Sequence, residues 1–396
     1  MTDPAARHAR VKACFLDLRE LPPDGREEAL AAIEDPRVRQ EVASLLVCDG
    51  APVDLLAADS TERAPLTLAA ERPPPPLAGA LLCERFEVQS ALAEGGFGWV
   101  FRGRDRQREE AVAVKLFKPI ADPRLAAQAE AAFLREGQAL GELARSSAHI
   151  VAYRDAGVWR DGDGRGHHFI VMEWLEGPTL HAYAAKRRAE APLSFEDAAA
   201  LLAPIAEALA MAHARGIAHR DLKPANILCV GDLGCPTLKL VDFGAAKLAT
   251  ERARGFESTG AHLGMVTLDH AAPEQLSKEL GPTGPWSDVH ALALLLVELA
   301  LGRAPLGGPD VISTMYRIMD PSDRPTPRRL GIAVDDAVEA VMQRALAVDT
   351  AVRHRDARAF WDELSAALAE EAPAARPAPR SRRRGLRGLL TGRGEP

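Results

Sequence analysis

The sequence predicts an α+β chain of two lobes, preceded by a small all-α segment. Three observations predict it. Between residues 83 and 173, short runs rich in β-branched and aromatic residues recur at Phe86-Glu87-Val88, Trp99-Val100-Phe101, Ala111 to Leu116, 150–158 and 168–173. Beyond Gly177 the pattern is mainly helical, with brief strand-like stretches at 227–230 and 237–241. Ahead of both, residues 7–58 keep helical spacing throughout.

In chain order, residues 1–58 form a helical module. Val11, Phe15 and Leu18 make one apolar stripe, which Leu30, Ile33, Val38, Val42, Leu45 and Leu46 continue. Pro22-Pro23-Asp24-Gly25 and Asp35-Pro36 cut it into short helices. It reads as a docking or stability module; the sharper alternative is a regulatory element in residues 1–80 that binds a partner. Residues 59–82, with Pro73 to Pro76 in a row, form an extended linker. The small lobe, 83–173, is a five-stranded antiparallel sheet with one helix inserted at 124–145, and the large lobe spans 178–370. Residues 371–396 are rich in Pro, Arg and Gly without periodicity, a disordered tail.

Charge narrows the partners. The net charge of −7 divides into about −5 over 1–80, about −8 over 81–375 and about +6 over 376–396. The body offers no basic field, which argues against nucleic acid. The Arg-rich tail is a solvated end or, alternatively, a contact for an anionic membrane through Leu386, Leu389 and Leu390. The cysteines at 14, 48, 83, 229 and 235 are odd in number and lack CxxC spacing, so a reducing, cytoplasmic location is expected. The N-terminus has no signal-peptide pattern, and the apolar run Ala291 to Leu301 is broken by Glu298 and too short to span a bilayer.

The chemistry lies in His219-Arg220-Asp221-Leu222-Lys223-Pro224-Ala225-Asn226. This stretch sets a carboxylate, an ammonium and a carboxamide on one short loop. Such a set suits phosphoryl transfer to a hydroxyl: Asp221 orients the hydroxyl, Lys223 neutralises the moving group, and Asn226 holds a metal ion. Val241-Asp242-Phe243-Gly244 supplies a second metal-binding carboxylate. Only eight lysines occur in the chain, and two of them are Lys115 and Lys223.

With these motifs, residues 83–370 resemble a eukaryotic-type (Hanks-type) serine/threonine protein kinase of bacterial kind. The resemblance implies the bilobal protein-kinase fold, ATP with Mg2+ (or Mn2+) as cofactors, Ser/Thr hydroxyls of proteins as acceptors, and autophosphorylation. Leu92-Ala93-Glu94-Gly95-Gly96-Phe97-Gly98-Trp99-Val100 matches the glycine-rich loop over the phosphates, with Ala93 in place of the first glycine. Lys115 matches the phosphate-contacting lysine, and Glu136 its ion-pair partner; a solvated helix acid is the other reading of Glu136. Leu92, Val100 and Ala113 would roof the adenine pocket and Leu228 floor it. Met172 would be the gatekeeper, and the backbones of Glu173 and Leu175 would pair with the base. Asn226 and Asp242 would hold the metal.

Residues 245–272 match the activation segment, with Thr267 on the substrate platform, Val266 where glycine is usual and His270 where tyrosine is usual. Glu274 should pair with Arg353, and Asp288 should anchor the catalytic loop. His219 and Phe243 are expected to pack, not to exchange protons. Arg220 calls for an anion, which phosphorylation at Thr250, Ser258 or Thr259 would supply. The alternative to an active enzyme is a nucleotide-binding pseudokinase scaffold, suggested by Ala93, Gly137 and the 266–270 departures.

Overall fold

The computed structural model describes residues 77–95, 98–117, 141–162, 164–190, 193–243, 268–308 and 311–371, with scattered positions between 10 and 42. Glu136, Gly137, Gly96, Phe97, Thr250, Ser258, Thr259 and Thr267 lie outside the described residues, as do the linker up to residue 76 and the basic tail.

The N-terminal sheet contains β1 (Leu81–Leu82), β2 (Phe86–Gly95), β3 (Gly98–Asp105), β4 (Glu110–Phe117), β5 (Tyr153–Arg160) and β6 (Gly166–Glu173). Their antiparallel order is β1-β2-β3-β4-β6-β5. Six strands stand where the sequence suggests five, because Leu81 and Leu82 add a two-residue edge against Glu87 and Phe86. That pair is too short to show a period of two. Residues 141–146 are helical, within the expected 124–145 helix and one residue past it.

Side chains alternate across the strands. Val112, Val114 and Leu116 of β4 therefore enter one apolar cluster with Phe86, Phe101 and Val171. Ala113, Lys115 and Phe117 occupy the other face, where Phe117 packs with Ile170, Met172 and Tyr153. Register places Val100 opposite Lys115, and Ala113 opposite Met172. The residues expected around the nucleotide thus share one face of the sheet.

The rest of the chain is mainly helical. Its helices are α1 (Leu180–Glu190), α2 (Phe195–His213), a single turn α3 (Pro273–Leu276), α4 (Pro285–Leu301), α5 (Val311–Met319), α6 (Asp336–Ala345) and α7 (Ala357–Glu371). Ser194 caps α2 by accepting the Asp197 N–H at 3.0 Å. Gly302, left-handed at φ +77°, ends α4. Every residue of α4 from Ser287 to Val297 is buried, so this helix is the axis against which α2, α6 and α7 pack. A hairpin of β7 (Ile227–Val230) and β8 (Thr237–Leu240) lies beside α1 and α2. Leu240 accepts the Val151 N–H at 3.0 Å and donates to the His149 carbonyl at 2.8 Å, which ties this hairpin to the chain entering β5.

Candidate active site

β2 and β3 form a tight hairpin whose register closes from Ala93↔Val100 through Glu94↔Trp99 to Gly95↔Gly98. Only glycine fits at 98: a Cβ there would sit 2.0 Å from the Leu116 carbonyl oxygen of the neighbouring strand. Ala93 differs. It is paired in β2 and is absent from the residues with positive φ, so its backbone does not require glycine. An irregularity between Ala91 and Ala93 accompanies Leu92, which is half exposed at 50%. An apolar side chain so exposed at the hairpin base suits a roof that a flat ring would cover.

Lys115 Nζ lies 2.7 Å from Asp242 Oδ1, with the two side chains only 16% and 31% exposed. The chain leaves β6 at Glu173, whose carboxylate accepts the Ala152 N–H at 2.7 Å and meets Lys239 Nζ at 2.6 Å. The side chain is thereby fixed away from the backbone that would face the base. Arg102 stacks on Trp174, 5.0 Å from the ring centroid. Leu175 and Met172 are half buried, and Leu228 comes up from β7, where it bridges to Thr179. A Cβ on Gly177 would fall 2.0 Å from the Cys229 carbonyl oxygen, so the connection passes directly over β7.

The 219–226 loop is organised from below. Asp288 on α4 accepts the backbone N–H of His219 at 2.6 Å and that of Arg220 at 2.7 Å. It also meets His213 Nε2 at 2.9 Å, while His213 Nδ1 accepts the Ala357 N–H at 3.0 Å. That last bond fixes the His213 proton on Nε2, aimed at the carboxylate. Burial works to raise the Asp288 pKa, but the His213 bond and the backbone N–H groups outweigh it and hold the carboxyl below its ordinary value. These bonds also hold Arg220 in the left-handed region at φ +60°, and Asp242 has the same φ. Two non-glycine residues so placed, one beside Asp221 and the other the Asp242 carboxylate itself, are backbone strain held at the site.

The His219 ring sits between the two loops. Its Nε2 donates to the Val241 carbonyl at 2.9 Å and its Nδ1 accepts the Asp221 N–H at 3.3 Å, which defines a neutral ring. Complete burial pushes its pKa down despite the neighbouring carboxylates. It stacks on Phe243 at 4.8 Å. A neutral ring with both nitrogens engaged positions its neighbours and has no proton to exchange.

Asp221, Lys223 and Asn226 come together. Lys223 Nζ is 3.1 Å from Asp221 Oδ2, and Asn226 Nδ2 donates to the Asp221 carbonyl at 2.8 Å and to Oδ2 at 3.1 Å. The Val241 N–H donates to the Asn226 carbonyl at 2.9 Å, so Asp242 begins one residue from this cluster.

Glu274 and Arg353 are also brought together, in a bidentate pair at 2.8 and 2.9 Å with both side chains fully buried. Three residues escaped the sequence reading: His213, and with it Gln275 and Ser287. Gln275 accepts the Ala272 N–H and donates to the Arg220 carbonyl, each at 2.9 Å, joining the end of the activation segment to the catalytic loop. Ser287 donates to Glu274 at 2.6 Å. His270, at the usual tyrosine position, meets Glu298 of α4 at 2.5 Å. Only Gln275 left a local signal: it is the third residue of a helix begun by Pro273, where a side chain can cap the turn.

A model of the protein kinase domain matches residues 86–363. The chain belongs to the serine/threonine protein kinases. The kinase is 36% identical over 298 residues to serine/threonine-protein kinase PknL of Mycobacterium tuberculosis, covering 75% of this chain and 68% of PknL. It is 35% identical over 275 residues to serine/threonine-protein kinase PkaA of Streptomyces coelicolor, covering 66% and 46%. With probable serine/threonine-protein kinase PknB of Corynebacterium glutamicum it shares 31% over 276 residues, covering 69% and 40%. The crystal structure of the M. tuberculosis PknI kinase domain shares the fold, with a TM-score of 0.51 at 23% identity over 73% of this chain and 98% of that one. Among the described residues, no helix is long and apolar enough to cross a membrane.

Proposed function

We infer that this kinase moves the γ-phosphoryl of ATP to serine or threonine hydroxyls of proteins through Asp221, Lys223, Asn226, Asp242 and Lys115. One observation carries the assignment: two oxygen donors, two ammonium groups and a carboxylate base, drawn from the sheet and two loops, meet in one linked cluster.

Asp221 takes the acceptor hydroxyl and orients its oxygen toward phosphorus. Lys223, already paired with Asp221, balances charge as the phosphoryl group moves. Asn226 spends its NH2 on Asp221, which leaves the amide oxygen as a hard donor. That oxygen and the Asp242 carboxylate fit Mg2+, an ion that takes one or two protein ligands and completes its shell with phosphates and water. When bound, the ion shields the phosphate charges. Lys115 is the cation for the phosphates, with Asp242 keeping it on the cleft side of β4. Leu92, Val100, Ala113 and Leu228 sandwich the base, and Met172 closes the back.

The test is transfer from labelled ATP to a generic basic protein by wild type, Asp221→Asn and Lys115→Met. Wild type should exceed either variant by about 100-fold or more. Wild type no faster than the variants would refute the assignment, and label confined to a small molecule would move the acceptor away from protein.

A further inference from the structure

Helix α5 has two occupied sides. Thr314 and Ile318, one turn apart, are buried in the large lobe, and Thr314 Oγ1 accepts the Gly308 N–H at 3.0 Å. Tyr316 is two residues from each, which at about 100° per residue turns it to the opposite side. That side is covered. Tyr316 packs against a separate apolar cluster of Leu18, Ile33, Val38 and Val42, joined by Cys14, Ala29 and Leu30. All of these except Tyr316 belong to the N-terminal helical module.

Val38 and Val42 are fully buried. Among the described residues, the large lobe contributes the ring of Tyr316 to their cluster. On its other flank α5 touches the 268–270 turn and α3, the elements that end the activation segment. Whatever covers α5 therefore stands beside the region that protein substrates approach.

We propose that the segment bearing Leu18, Ile33, Val38 and Val42 is a cap docked in cis on Tyr316, and that protein substrates reach the outward side of α5 by displacing it. The proposal rests on the protein-kinase reading for its substrate arm alone; docking can be read without catalysis.

Hydrogen exchange on the full-length chain tests it, with Tyr316→Ser and, from the cap's side, Val42→Asp. Tyr316→Ser should speed exchange across 29–42 by about tenfold or more while 285–301 stays protected. Val42→Asp should speed exchange across 311–319. In Val42→Asp, KM for a protein substrate should fall by about threefold or more with KM for ATP unchanged. Unchanged exchange in 29–42 with Tyr316→Ser overturns docking. If that variant also loses protection at 285–301, Val42→Asp decides, and unchanged exchange at 311–319 overturns it. Protection that grows with protein concentration overturns docking in cis, because a second copy then supplies the cap. Exchange as expected with an unchanged protein-substrate KM overturns the access role.

Discussion

Asp288→Asn tests whether the catalytic loop is held from beneath. The carboxylate accepts backbone N–H bonds from His219 and Arg220 at 2.6 and 2.7 Å and a third bond from His213. An amide of the same shape keeps one acceptor oxygen and turns an NH2 toward a donor. One charge-assisted bond, worth about 1.5–3 kcal/mol, is lost, and a buried N–H is left unmet at a further cost of about 1–3 kcal/mol. The sum, about 2.5–6 kcal/mol, reaches the low end of the roughly 5–15 kcal/mol that holds a domain folded. Some of it is recovered if Arg220 leaves its left-handed conformation, and that relaxation shifts Asp221. A displacement near 1 Å at a reacting group costs about 100-fold. We therefore expect kcat for protein phosphorylation to fall by about 100-fold, and KM for ATP to change by less than about threefold, because Lys115 and the 173–175 connection lie on other elements. Steady-state kinetics paired with urea denaturation reads both effects. A folded Asp288→Asn enzyme with kcat within about threefold of wild type would refute the reasoning.

Arg353→Ala strands a fully buried Glu274 carboxylate and should cost about 3–5 kcal/mol in urea midpoint analysis. Arg353→Lys should recover less than half of that, since one ammonium cannot replace a fork that also reaches the Ala347 and Val348 carbonyls; full recovery would refute the bidentate role. Gly98→Ala must push β3 from β4 and should destabilise by about 1–3 kcal/mol and weaken ATP binding, whereas Ala93→Gly should leave ATP KM within about threefold. The Arg85 bond, opposed by burial and aided by the Gln107 and Arg108 N–H groups, lowers the Asp105 pKa to about 2. A depressed carboxyl pKa stabilises the fold fully above its unfolded value near 4, and this contribution is lost as pH falls toward about 2. Asp105→Asn should flatten that part of the acid-unfolding curve, and an unchanged curve would show that Asp105 does not cause it.

The strands and helices were legible wherever period or composition was strong: the β4 alternation Val112-Val114-Leu116 and the long apolar α4 are plain in the sequence. The edge strand Leu81–Leu82 was not, because two residues carry no period. The candidate site residues were chosen from motifs and the family resemblance, and motifs are silent on partners. Lys115 was expected to meet Glu136, which lies outside the described residues; among the described residues it meets Asp242, a partner that spacing did not suggest. The His213 and Gln275 bonds join residues 75 and 55 positions from their partners, and their identity depends on helix packing that local pattern does not encode. The packing of Tyr316 against the cluster of Leu18, Ile33, Val38 and Val42 is of the same kind, a tertiary contact that helical periodicity alone does not name.

The chain Asp288–His213–Ala357 has a consequence for how this enzyme is made. His213 takes its orientation from Ala357, the first residue of α7. During synthesis, the loop bearing Asp221 emerges well before that residue. Until Ala357 arrives, the imidazole lacks the bond that settles its proton, and one of the three donors to Asp288 is not fixed. Helix α7 therefore serves as a completion signal: a nascent or prematurely stopped chain would carry the motif residues but not the support that sets them for transfer.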